Sequence, residues 1–283
     1  MADSLSIDYN SPASLKAFLE ARGLAMQKKF GQNFLINGQA RKKLIDSLEI
    51  EKGTTVWEIG PGLGAMTSEI LERGAELTAF EIDHGFAAAL GKLFADKTNF
   101  KLVEGDVLKT WKTVQDRPAR LFGNLPYNIA ATIFADLICA GVRFDKAVIT
   151  VQKEVAQRMS AKPGTEDYSS FSVLCQWAYD VTPLMDLGGG SFWPKPNVDS
   201  RAVKFVKKEL FPQCKDAVLF AKMQRALFVS RRKTIKNNLT TFLSDSNKAE
   251  AALKKAEIDP KLRAETLDIN TLLRLSDAVG EVL

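Results

Sequence analysis

Histidine is almost missing from this chain of 283 residues and cysteine is scarce. His84 stands alone, and Cys139, Cys175 and Cys214 lie far apart with no C-x-x-C pair. These residues form no set suited to a metal and no disulfide framework, so no metal is expected. No run approaches the roughly 18 apolar residues of a membrane-spanning helix. The opening MADSLSIDYNSP has neither the basic start nor the apolar stretch of a secretory signal. The expectation is a protein of a reducing, intracellular compartment, cytoplasmic and without a membrane partner. Internal repeats, low-complexity runs and heptads are also missing, and a monomer is expected.

What is present is enough to build a core: 46% of the residues are hydrophobic and 26% charged. The length suits one large and one small domain. The net charge of +5 is modest, but it is concentrated. Between Ala217 and Ser244 stand six basic residues, Lys222, Arg225, Arg231, Arg232, Lys233 and Lys236, and no acid, which leaves the rest of the chain close to neutral.

Ser11-Pro12 reads as a helix cap followed by proline at the first helical position, with Leu15, Phe18 and Leu19 on the buried face and Gly23 as the stop. KKFGQNFLIN (28–37) fits neither helix nor strand period and reads as a loop. From residue 54 strands and helices alternate: TTVWEIG, a helix near 65–73, ELTAFEID, a helix near 84–95, FKLVEGD, RLFGNLPY, a helix over 129–140, and KAVITVQ. This is the pattern of a parallel, doubly wound α/β sheet whose ligands bind at the carboxyl ends of the strands. A helical piece, a polar loop (AKPGTEDYSS) and a further helix follow, then two more strands, VTPLMDL and AVKFVKK. The intervening GGGSFWPKPNVDS reads as irregular. After Phe211-Pro212 the spacing is helical throughout, so a large domain over 1–212 and a small helical one over 213–283 are expected.

In VWEIGPGLGA a hydrophobic strand runs into Gly60, Gly62 and Gly64 and then a helix. Such a turn lets backbone N–H groups approach a ligand closely. Glu81 ends the next strand, where a carboxylate can accept both hydroxyls of a ribose. The glycine spacing alone also satisfies the dinucleotide pattern of a dehydrogenase. Asp106, ending the third strand, can accept the exocyclic amine of an adenine. The run Asn124-Leu125-Pro126-Tyr127 ends a fourth strand as a tight polar turn carrying an aromatic ring. That arrangement suits methyl transfer to an amine conjugated with a base. The Asn124 side-chain oxygen and the Leu125 carbonyl can accept the amine hydrogens and favour its attacking geometry, while Tyr127 stacks on the base.

With these motifs in order the sequence resembles the KsgA-type rRNA adenine N6,N6-dimethyltransferases. The likeness spans nearly the whole chain and rests on KKFGQNFLIN, EIGPGLGAMT, EID (81–83), EGD (104–106), NLPYNIA, VQKEVAQRM, FWPKPNVDS and RRKTIKNNL. It implies a Rossmann-like class I S-adenosylmethionine methyltransferase sheet with a small C-terminal helical domain. The cofactor implied is S-adenosyl-L-methionine, and the substrate is a pair of adjacent adenines near the 3′ end of 16S rRNA, within the small ribosomal subunit or its precursor. Asn33 and Leu35 would close over the methionine part of the cofactor. Gly60 would approach it through the backbone, Glu81 would hold the ribose, Asp106 the adenine, and Asn124 would contact the cofactor as well. Asn124, Leu125, Pro126 and Tyr127 would hold the target base, with Phe192 as a second aromatic face. Arg225, Arg231, Arg232, Lys233 and Lys236 would meet rRNA phosphates, with Lys28 and Lys29 extending the track. His84-Gly85 and Trp193-Pro194-Lys195 depart from the family pattern beside these groups, not on them.

Two other readings share parts of this sequence. The related methyltransferases that modify large-subunit rRNA and confer macrolide resistance have the same cofactor and a similar turn after the fourth strand. FWPKPNVDS and RRKTIKNNL favour the small subunit. A ribosome-assembly factor that kept the fold and lost catalysis is opposed by the intact Glu81, Asp106, Asn124 and Tyr127.

Overall fold

Ser11 accepts a hydrogen bond from the Ser14 amide at 3.2 Å and Pro12 takes the first helical position, so the chain enters its first helix where the sequence predicts. The computed structural model describes residues 7–26, 32–125 and 127–283, apart from the side chains of Tyr127 and Asn128. The expectations for Lys28, Lys29, Pro126 and the Tyr127 ring therefore lie outside the described residues.

The elements run α1 (Pro12–Ala21), β1 (Phe34–Leu35), α2 (Gly38–Asp46), β2 (Thr55–Ile59), α3 (Ala65–Glu72), β3 (Glu76–Glu81), α4 (His84–Leu93) and β4 (Phe100–Glu104). Then come α5 (Val107–Thr110), β5 (Arg120–Asn124), α6 (Tyr127–Cys139), β6 (Lys146–Gln152), α7 (Lys153–Met159), α8 (Ser170–Ala178) and β7 (Tyr179–Leu187). The chain ends with β8 (Phe192–Trp193), β9 (Ser200–Lys207), α9 (Ala217–Leu227), α10 (Ile235–Leu243), α11 (Ser246–Lys255) and α12 (Ile269–Gly280).

Seven strands form one sheet in the order β4-β3-β2-β5-β6-β9-β7. The first five are mutually parallel, and β9 runs antiparallel to β6, so the sheet is mixed where the alternation of elements predicts a parallel one. Strand order reverses between β2 and β5. This is the topological switch point, where a crevice opens outside the carboxyl ends of the strands. The central strands are buried on both faces and mostly apolar, as a sheet covered on both sides requires, with Glu58 and Thr150 as buried polar exceptions. Trp57 is 1% exposed and meets the rings of Phe80 and Phe144 at 5.0 and 6.0 Å.

Three local features differ from the sequence reading. The stretch read as a loop contains β1, and the glycine- and proline-rich stretch contains β8. The two pair antiparallel, Phe34 opposite Trp193 and Leu35 opposite Phe192. A two-residue strand has no period of its own and exists only through its distant partner. The third feature is α2, whose apolar positions Ala40, Leu44 and Ile45 are hidden among lysines and arginine. Asn37 caps it by accepting from the Ala40 amide at 3.0 Å.

The chain forms two compact units. One comprises Met1–Ile133, Phe144–Ala156 and Thr182–Val206, and the other Phe134–Arg143, Gln157–Val181 and Lys207–Leu283. In the second, α9 to α12 bury Phe220, Met223, Leu227, Ile235, Leu239, Leu253, Leu272, Leu275 and Val279. Asp216, Thr234, Asp245 and Asp268 cap these four helices. Trp177 meets Phe211 and Phe220, each at 4.6 Å, and donates its indole N–H to the Pro212 carbonyl at 2.6 Å.

Candidate active site

The turn after β2 needs its glycines for two reasons. Gly60, Gly62 and Gly64 all have positive φ (72°, 59° and 90°), a region that costs other residues strain. A Cβ on Gly62 would stand 3.1 Å from the Phe34 ring, and one on Gly64 only 2.7 Å from Phe94. Gly64 also opens α3 without a side-chain cap, leaving the first helical N–H groups to other partners.

Asn33, Leu35, Gly60, Glu81, Asp106, Asn124 and Leu125 all line one cavity at the switch point, together with Tyr9, Gln32, Phe34 and Gly62. Seven residues singled out in the sequence thus come together on the wall of one cavity. Phe192 is placed differently: it is 5% exposed, and sits in the core cluster with Leu35, Leu44 and Val56. Its register opposite Leu35 turns it toward the core, and it is not among the residues lining the cavity.

Glu81 is 4% exposed. One carboxylate oxygen accepts from the Gly62 amide at 3.1 Å and the other from the Asp83 amide at 2.8 Å. Burial pushes its pKa up to about 7, against the pull of those backbone donors. Each oxygen keeps a lone pair, so the group suits a ligand bringing hydroxyl donors. Asp106 caps α5, accepting from the Leu108 amide at 3.0 Å, and faces the cavity as well. Asp83 caps α4 by accepting from the Gly85 and Phe86 amides and also receives Gln32 at 3.3 Å.

Asn124 ends β5 with its amide held at both ends. Its Nδ2 donates to the Asn33 carbonyl at 3.1 Å, and its Oδ1 accepts from the hydroxyl of Thr150. Thr150 also receives the Leu125 amide on its carbonyl at 3.1 Å. A Cβ on Gly123 would approach the Leu125 side chain at 3.0 Å, so glycine fits there.

Several contributors escape the sequence reading. Tyr9 lines the cavity and donates to the Leu63 carbonyl at 3.0 Å, within the glycine turn. Arg41, 5% exposed, donates to the carbonyls of Tyr9 and Leu35 at 3.3 and 2.9 Å. Neither has a local signal. Thr150 does have one, as the single hydroxyl in the strand KAVITVQ.

In the helical unit the expected basic residues separate into two groups. Arg231 is committed within the unit: Nε pairs with Glu265 at 2.7 Å and a guanidinium N–H reaches the Glu166 carbonyl at 2.6 Å. Lys236 pairs with Glu250. Arg225, Arg232 and Lys233 are exposed, with no ion-pair partner among the described residues.

A mixed sheet whose switch point carries a glycine turn, a buried strand-end carboxylate and an asparagine turn defines a class I methyltransferase that uses S-adenosylmethionine. The donor set fits that cofactor, because Glu81, Asp106 and open backbone groups offer acceptors to a ligand rich in hydroxyl and amine hydrogens. Residues 23–280 match the family model described as ribosomal RNA adenine dimethylase, and the chain belongs to that family. It is 48% identical to the ribosomal RNA small subunit methyltransferase A of Treponema denticola, over 97% of each chain. With that of Treponema pallidum it shares 43% over 98% of this chain and 99% of the relative. Among solved structures it resembles a dimethyladenosine transferase from Plasmodium falciparum, with 26% identity, a TM-score of 0.70, and coverage of 84% of this chain and 94% of that one. The 23S rRNA methyltransferase ErmE shares the fold at 22% identity and a TM-score of 0.63, covering 87% of this chain and 99% of that one.

Proposed function

We propose that this protein transfers methyl groups from S-adenosylmethionine to the N6 amines of two adjacent adenines near the 3′ end of 16S rRNA, giving N6,N6-dimethyladenines during small-subunit biogenesis. The observation that carries the reading is Asn124 at the switch point, in the wall of the same cavity as Glu81 and Asp106. Its relatives named for the small subunit support that choice of substrate.

In this reading Asn33, Leu35, Gly60, Glu81 and Asp106 hold the cofactor, which supplies an electrophilic methyl group when bound. Asn124 Oδ1 and the Leu125 carbonyl accept the two hydrogens of the target amine. Those bonds strengthen as the nitrogen leaves conjugation and becomes tetrahedral, which is where they lower the barrier. The methylated nitrogen then releases a proton to water, so no strong base is needed. Tyr127 stacks on the flipped base. Phe192, expected as a second ring, supports the cavity from the core through Leu35. The helical segment 213–283 binds rRNA phosphates, with Arg225, Arg232 and Lys233 as the available cations. The reading places the protein with its rRNA substrate in the cytoplasm, as a monomer. Among its described residues no helix is long and apolar enough to cross a membrane.

The test is methyl transfer to isolated small and large subunits lacking the modification, followed by mapping of the modified adenines. Dimethyladenines at a neighbouring pair in 16S rRNA are expected. Modification confined to the large subunit would overturn the assignment. Asn124→Ala should lower turnover about 10²-fold, by analogy with other lost transition-state hydrogen bonds, while subunit binding barely changes.

A further inference from the structure

The strand KAVITVQ is apolar at every interior position except Thr150, which is 1% exposed. A hydroxyl so deeply buried needs a partner. Thr150 stands opposite Asn124 in the parallel register of β5 and β6, and its hydroxyl donates to Asn124 Oδ1. The same residue's carbonyl receives the Leu125 amide at 3.1 Å. One residue therefore holds the Asn124 side-chain oxygen directly and anchors the backbone just before the Leu125 carbonyl, the second acceptor in the proposed reaction.

The orientation of the Asn124 amide follows from what each neighbour can do. The Asn33 carbonyl, 3.1 Å away, can only accept, so Nδ2 must face it. The Thr150 hydroxyl donates to the opposite end of the amide and fixes Oδ1 there. A carbonyl oxygen has two lone pairs, and Thr150 occupies one. The second remains for the substrate amine, in a direction set by the first.

We propose that Thr150 is a positioning residue for the methyl-transfer step: its hydroxyl locks the Asn124 amide in the orientation that presents Oδ1 to the target adenine amine. The inference rests on the proposed role of Asn124. Preorganised acceptors act by avoiding rearrangement at the moment of reaction, so loss of the lock falls on turnover and not on binding.

The test compares Thr150→Val, which replaces the hydroxyl by a methyl of similar size, with Thr150→Ser, which keeps it. Thr150→Ala paired with Thr150→Ser isolates the hydroxyl again if valine disturbs folding. For unmodified small subunits, Thr150→Val and Thr150→Ala should lower kcat about five- to tenfold, the scale of one hydrogen bond, with KM and the cofactor Kd unchanged. Thr150→Ser should restore kcat. Single-turnover rates should show Asn124→Ala and the Asn124→Ala/Thr150→Val double variant to be equal, because the lock has nothing left to hold. Wild-type turnover in both Thr150→Val and Thr150→Ala, with Asn124→Ala still impaired, would overturn the inference alone. A loss that persists in full on the Asn124→Ala background would also overturn it. Wild-type turnover in Asn124→Ala would instead remove the role of Asn124, and the inference with it.

Discussion

A Cβ placed on Gly60 would stand 3.4 Å from the carbonyl oxygen of Asn124, so the glycine turn after β2 and the turn after β5 come together at the switch point. The glycine has φ 72°, so any other residue there meets backbone strain, while its Cβ would only touch that carbonyl at van der Waals distance. Gly60→Ala should cost about 1–2 kcal/mol of stability. It should also weaken S-adenosylmethionine binding, because relief of the backbone strain moves the turn. Thermal unfolding and calorimetry would measure the two effects, and unchanged affinity would show that the turn does not approach the cofactor.

With Glu81 on the ribose, as proposed, cofactor binding should depend on pH. Its pKa is raised to about 7 by burial, so part of the population carries a proton near neutrality. Ribose hydroxyls need a carboxylate acceptor, and binding must expel that proton. Affinity should fall below pH 7 with a slope approaching tenfold per pH unit and level off above it. Glu81→Gln should bind more weakly and lose this slope. Calorimetry between pH 5.5 and pH 8.5 would decide, and a flat wild-type profile would remove Glu81 from the ribose.

Glu58 supplies a stability effect of clear sign. It is 1% exposed in mid-strand, and one oxygen accepts from the Thr67 hydroxyl at 2.7 Å while the other has no partner among the described residues. Burial raises its pKa to about 8, above the unfolded value. The native state therefore holds its proton more tightly than the unfolded chain, and stability from this group declines as pH rises from about 4.5 through 8. Glu58→Gln carries no such titration. Its melting temperature relative to wild type should climb between pH 6 and pH 9, and parallel curves would refute the account.

The two groups of basic residues should separate experimentally. Reversing Arg225, Arg232 and Lys233 to glutamate should weaken subunit binding and flatten its salt dependence, with little change in melting temperature. Arg231→Glu should instead destabilise the helical unit, since it faces Glu265 with like charge. Filter binding over a salt series, with thermal unfolding alongside, would distinguish them. Equal salt slopes for wild type and the triple reversal would make that surface irrelevant to RNA.

The parts of the molecule legible in the sequence are those whose signal is carried by neighbouring residues. A run such as VWEIG must become a buried strand, three glycines after it must turn, and Ser11-Pro12 must start a helix, whatever lies elsewhere. Glu81, Asp106 and Asn124 could be placed on one wall because parallel strands bring their carboxyl ends together by topology. The tertiary structure decided matters that depend on which distant segments meet. It paired Leu35 with Phe192 and so turned that ring into the core. It set Thr150 beside Asn124, fixing an amide whose orientation no local pattern encodes. It brought Glu265 to Arg231 and left Arg232 with no ion-pair partner among the described residues, although the two arginines are adjacent and identical in chemistry. Backbone conformation is set largely by local sterics and periodicity, whereas hydrogen bonds and ion pairs act over a few ångströms and select partners only after the chain has packed.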